Sequence, residues 1–86
     1  MDYKQKLEYQ SNYWYNDGLK KAQIRDLSGA IVSLKRSLQF NRENITARNL
    51  LGLVYYGRGE VAEALVEWII SKNFRACLLY TSPSPR

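Results

Sequence analysis

Histidine is absent from the chain. That removes the commonest general base and the commonest metal ligand together. Cysteine occurs once, at Cys77, so no internal disulfide can form, which fits a reducing compartment. Long apolar runs are missing too: Leu50–Leu51 and Trp68–Ile70 fall far short of a bilayer-spanning stretch. Met1 is followed by Asp2, Tyr3 and Lys4 rather than by the apolar segment of a secretory signal. These absences set the expectation of a cytoplasmic protein. Proline is the last scarcity. Pro83 and Pro85 are the only two, and both lie beside Cys77 in the closing stretch CLLYTSPSPR.

What is present describes a folded chain. Hydrophobic residues at 45% and aromatics at 13% are too many for a disordered segment. The 86 residues make one small domain with a thin core. Net charge is +5, with Lys20, Lys21, Arg25, Lys35, Arg36, Arg42 and Arg48 in the first two thirds and Glu60, Glu63 and Glu67 after them. Scattered cations on helices are first of all a solvated surface. The alternative is weak nucleic-acid or anionic-surface binding, with Lys20, Lys21, Arg25, Lys35 and Arg36 on phosphates and Tyr13 and Tyr15 stacking on bases. Their distribution over two helices, without a continuous stripe, makes nucleic acid the poorer expectation.

The chain matches itself best at an offset of 34 residues. Gly18 then falls on Gly52, Leu19 on Leu53, Ala30 on Ala64, Ile31 on Leu65, Leu34 on Trp68 and Ser37 on Ser71. Apolar residues recur at three- and four-residue steps, as in Leu27, Ile31, Leu34 and Leu38, which places them on one helical face. Leu50, Leu53, Val54 and Gly57 form a second such set; Val61, Leu65, Trp68 and Ile69 form a third. Asp26 and Asn44 are placed to cap helix starts, and Gly57–Arg58–Gly59 is a turn signal. The pattern predicts four helices: Tyr3 to Gln23, Leu27 to Gln39, Ile45 to Gly57, and Glu60 to Lys72.

The spacing and these residues resemble the tetratricopeptide repeat. In the second repeat Leu51–Gly52, Tyr55, Gly59, Ala64 and Trp68 stand where that family has them. In the first, Trp14, Gly18, Ala30 and Leu34 match, while Asp17 replaces a Leu, Lys21 a Tyr and Arg42 the closing Pro. NLLGLVYY followed by EWIISKNF is similar to a subgroup from anaerobic Gram-positive bacteria. The resemblance implies an all-α fold: two antiparallel helix-turn-helix hairpins stacked as a short right-handed α-solenoid. Residues 1–10 would extend the first helix, with Tyr3, Leu7, Tyr9 and Tyr13 shielding the open end of the stack. Residues 11–44 and 45–76 would be the two repeats. The apolar end of the last helix looks ready for further repeats of a longer parent chain.

The resemblance also implies a function, that of a non-catalytic scaffold holding a peptide or helix of a partner protein in the concave groove. Carried over by position, the groove residues are Asn12, Tyr15, Asn16, Leu19 and Gln23, then Asn49, Leu50, Leu53 and Tyr56. Leu19, Leu50 and Leu53 could equally be core, while Trp14 and Trp68 occupy packing positions. Some members grip a C-terminal carboxylate with Lys and Asn side chains; the matching positions here are Tyr15, Leu19 and Leu50, which cannot supply that chemistry. Catalysis has no constellation behind it: there is no histidine, no base for Cys77, and only a short GRG turn where a phosphate loop would need more. Neither a cofactor nor a metal site is expected.

The closing stretch resembles something other than protein design. CLLYTSPSPR can be written TGT CTC TTA TAC ACA TCT CCG AGC CCA CGA, which is similar base for base to a reading frame of the adapter used in transposase-based sequencing libraries. Residues 77–86 are therefore expected to be a non-native tail, to be set aside in functional argument like a fusion scar. Arg86 is the only charge in it, so the basic balance is nearly unchanged.

Overall fold

A computed structural model describes residues 2–72; the expected tail, and the end of the second repeat from residue 73, lie outside them. Among the described residues the chain is all-helical, with α1 over Tyr3–Gln23, α2 over Leu27–Phe40, α3 over Ile45–Gly57 and α4 over Val61–Ile70. The last helix is shorter than its apolar pattern predicts: Glu60 is its N-cap residue and Ser71 its C-cap. Among the described residues, no helix is long and apolar enough to cross a membrane.

Each helix start has a local cause. Asp2 accepts from the Gln5 N–H at 2.7 Å while Gln5 Oε1 accepts from the Asp2 N–H at 3.0 Å, a reciprocal capping box. Asp26 and Asn44 accept from the N–H groups of Gly29 and Ala47, each at 3.0 Å, as their positions predict. Glu60 makes no side-chain cap bond.

The helix ends repeat one another. At the close of α1 the Asp26 N–H donates to Lys21 O and Arg25 N–H to Ala22 O; at the close of α3 the Glu60 N–H donates to Tyr55 O and Gly59 N–H to Tyr56 O. These are the crossed bonds that end a helix through a left-handed residue. In the second turn that residue is Gly59, at φ 85°; in the first it is Arg25, at φ 68°.

Helices α1 and α2 run antiparallel, since Ser11 meets Ser37 while Lys21 meets Ser33. α2 packs on α3, α3 on α4, and α1 also touches α3; α2 and α4 do not meet. The core comes from Ala30, Ile31, Leu34 and Leu38 of α2, Ala47, Leu51, Val54 and Tyr55 of α3, and Ala64 and Trp68 of α4. This corrects the expected face of α3. Its buried stripe is Ala47, Leu51, Val54 and Tyr55, whereas Leu53 is 41% exposed and Leu50 half-buried. Val61 and Ile69 likewise leave the expected face of α4 and are exposed.

α1 adds no fully buried apolar side chain; its buried residues are Ser11 and Gly18. The reason lies in two substitutions. Where α3 buries Leu51 and Tyr55, α1 carries Asp17 and Lys21, and these turn to Ser33 of α2. Ser33 Oγ donates to Asp17 at 2.5 Å, and Lys21 Nζ lies 3.1 Å from Ser33 Oγ and 2.8 Å from Asp17. Nearer the start of α1, Ser37 Oγ donates to Ser11 O at 2.7 Å, and Asn44 Nδ2 donates to Ser11 Oγ at 2.8 Å. Polar side chains of α1 thus take the places that Leu51 and Tyr55 fill by apolar burial in α3. Of the residues expected to shield the open end, Tyr3, Tyr9 and Tyr13 are exposed and Leu7 is half-buried.

Candidate binding cleft

The three-residue turn between α1 and α2 and one face of α3 line a cleft of about 220 Å³. Its walls are Ala22 and Leu27 on one side and Leu50, Leu53 and Tyr56 on the other, with Arg25 at the edge. Helical spacing explains the α3 wall: Leu50 and Leu53 lie one turn apart, and Tyr56 a turn further on. Tyr56 is held from behind by Trp68, with ring centroids 6.2 Å apart. Arg25 is presented by its left-handed backbone rather than by a helix face.

Of the nine positions singled out by sequence, the cleft brings together Leu50, Leu53 and Tyr56. Leu50 and Tyr56 also pack against the core, as does Tyr15. Leu19 is half-buried, and Asn16 and Gln23 are exposed on α1 outside the cleft lining. Asn12 sits toward the other end of α1, where its Oδ1 accepts from Asn44 Nδ2 at 3.3 Å, so it works within the chain. Asn49 places its carbonyl oxygen 3.4 Å from Trp68 Nε1, and its Oδ1 is buried with no hydrogen-bond partner among the described residues.

Periodicity does not bring Ala22, Arg25 and Leu27 together, because they belong to the end of α1, the turn and the start of α2 and share no helix face. The available signal was the offset itself: Arg25 stands where Gly59 ends α3, and a charged residue at a glycine position marks an exposed, displayed side chain. The cations flagged for phosphate binding are dispersed. Lys21 is tied to Asp17 and Ser33, Arg36 stacks on Trp14 at 4.7 Å, and Lys35 lies 5.9 Å from the centre of the Tyr55 ring. Hydrogen bonds from Lys21 and Ser33 hold the Asp17 carboxyl below its ordinary value of 3.8. Among the described residues, no three His, Cys, Asp or Glu side chains group as a metal site.

Comparison with known proteins gives a partial likeness. The chain is 42% identical over 45 residues, or 52% of its length, to the BBSome complex member bbs-4 of Caenorhabditis elegans. It spans about a tenth of that relative, 10% of its length. No family model matches the chain, and no solved structure matches it.

Proposed function

We propose that the chain is a non-catalytic protein-interaction scaffold of the tetratricopeptide type, working in the cytoplasm. Its two hairpins stack as a short right-handed α-solenoid with α1 and α3 on the inner side, and a peptide or helix of a partner protein lies across that side. The observation that carries this reading is the recurrence of one contact at the repeat offset. Gly18 packs against Leu34, and Gly52 packs against Trp68, in both cases so closely that a β-carbon would press on the facing side chain. Two hairpins built to one plan, joined through α2 and α3, favour stacked repeats over an unrelated four-helix bundle.

The cleft supports a partner with an apolar anchor. Its walls are aliphatic and aromatic, its size suits one large side chain, and Arg25 stands beside it as a polar guide. The similar nematode protein is named as a member of a complex, which accords with an assembling role. The absence of histidine supports binding over catalysis. The internal engagement of Lys21 and Arg36 supports a protein partner over nucleic acid. Val66, Ile69 and Ile70 are exposed on α4, a surface that a further hairpin of a parent chain would cover.

Selection from a displayed peptide library tests the reading. The enriched peptides should share an apolar anchor and shift the amide resonances of Leu50, Leu53 and Tyr56 when titrated. Leu53→Asp should abolish their enrichment. Peptides that bind equally well to Leu53→Asp, or no enrichment at all, would remove the cleft from consideration.

A further inference from the structure

On the other side of the molecule α2 and α4 both lean on α3 without touching each other. The furrow left between them encloses about 420 Å³. Leu38 of α2 and Leu51 of α3 form its floor. Arg48 and Glu67 close the far side through an ion pair at 2.8 Å, with side chains only 15% and 16% exposed. Arg48 also donates to Arg42 O at 3.3 Å, which ties the α2–α3 turn to the wall of the furrow.

The charge of the furrow is one-sided. Arg48 and Glu67 neutralise each other, whereas Lys35 and Arg42 line the same space with no carboxylate in ion-pair range among the described residues. Lys35 is steadied there by its approach to the Tyr55 ring. Glu43 borders the adjoining hollow of about 520 Å³, which continues the furrow past Gln39 and Arg42. An apolar floor with two uncompensated cations on its rim calls for an apolar side chain flanked by carboxylates. A nucleic-acid strand is the poorer occupant, since two cations beside Glu43 and Glu67 do not make a phosphate track.

We infer that the α2–α4 furrow is a second docking site, separate from the cleft on the α1–α3 side, and that it takes an acidic, amphipathic segment of a partner protein. The segment sets an apolar residue on Leu38 and Leu51, and its carboxylates meet Lys35 and Arg42.

A fluorescein-labelled peptide of Leu-Glu-Glu repeats, titrated with the full chain and followed by anisotropy, tests this. It should bind with amide shifts at Lys35, Gln39, Arg42 and Leu51, and its affinity should weaken several-fold as salt is raised past the screening range. The Lys35→Glu/Arg42→Glu variant should lose affinity by about tenfold or more, with Lys35→Gln/Arg42→Gln intermediate and helicity checked by circular dichroism. The inference fails if a Leu-Lys-Lys peptide binds as well, if a poly-thymidine strand binds more tightly, or if the Gln variant binds like the parent. It fails equally if the shifts fall on Leu50, Leu53 and Tyr56, a result that would leave the cleft standing.

Discussion

Gly52 faces the indole of Trp68 so closely that a β-carbon built on it would lie 2.5 Å from Nε1. One offset away, a β-carbon on Gly18 would lie 2.8 Å from Leu34 Cγ. Both glycines sit inside helices, where each costs about 1 kcal/mol relative to alanine. The close approach of the paired helices offsets that cost, because it lets Trp68, 1% exposed, fill the second hairpin. Gly52→Ala is expected to destabilise the chain by about 1–3 kcal/mol through overpacking, despite the better helix propensity. Combining it with Trp68→Leu should cost less than the sum of the two single changes, because the smaller side chain leaves room for the methyl. Urea denaturation of the four proteins measures this, and strict additivity would mean that Gly52 and Trp68 are not coupled.

The left-handed residue after α1 gives a prediction of opposite sign. Arg25 adopts φ 68° where Gly59, at the matching turn, adopts φ 85°. A left-handed conformation costs a residue with a β-carbon about 1–2 kcal/mol, and glycine escapes most of it. Arg25→Gly should therefore stabilise the fold by about 0.5–1 kcal/mol after the greater freedom of glycine in the unfolded chain is counted. Gly59→Arg should destabilise it. Thermal melts decide the matter. If Arg25→Gly also weakens peptide binding in the cleft, the arginine is kept at this position for recognition.

Most of the helical framework was legible from sequence, for identifiable reasons. Asp26 and Asn44 are short polar side chains placed before apolar periodicity, and both cap as expected. The offset of 34 aligned Gly18 with Gly52 and Leu34 with Trp68, and the matching contacts form: Gly18 meets Leu34, and Gly52 meets Trp68. What periodicity misplaced were choices between adjacent stripes: Leu50 and Leu53 against Leu51 and Tyr55 on α3. Both stripes are apolar there, so spacing alone cannot tell which one meets α2 and which one faces the cleft. The polar pinning of α1 was also hidden. Asp17 and Lys21 look like departures from a pattern, and only the position of Ser33 across the interface shows that they act as a unit.

Asn44 does two things that Asp26 does not. Its Oδ1 caps α3, and its Nδ2 reaches back to Ser11, which is fully buried against Ser37. Asp26→Ala should cost about 1 kcal/mol, the usual worth of a cap. Asn44→Ala should cost about 1–2 kcal/mol more, because Ser11 Oγ loses a buried partner as well. Equal losses in the two variants would show that the contact between α1 and Asn44 contributes nothing to stability.

The Asp17–Lys21–Ser33 cluster predicts a pH dependence with a definite sign. Hydrogen bonds from Lys21 and Ser33 hold the folded-state pKa of Asp17 below its ordinary 3.8. A carboxylate with a depressed folded value contributes stability that is present above its unfolded pKa and is lost as the pH falls through the folded one. The contribution is therefore complete at neutral pH and disappears in the acid range below about 4. Asp17→Asn should lower the melting temperature at neutral pH and narrow the difference from the parent chain as the pH falls toward 2. The partly exposed setting of the pair, with side chains 36% and 33% accessible, also makes the effect sensitive to salt. Melts of both proteins across the acid range provide the measurement. A gap that stays constant with pH would show that Asp17 acts through its shape and not its charge.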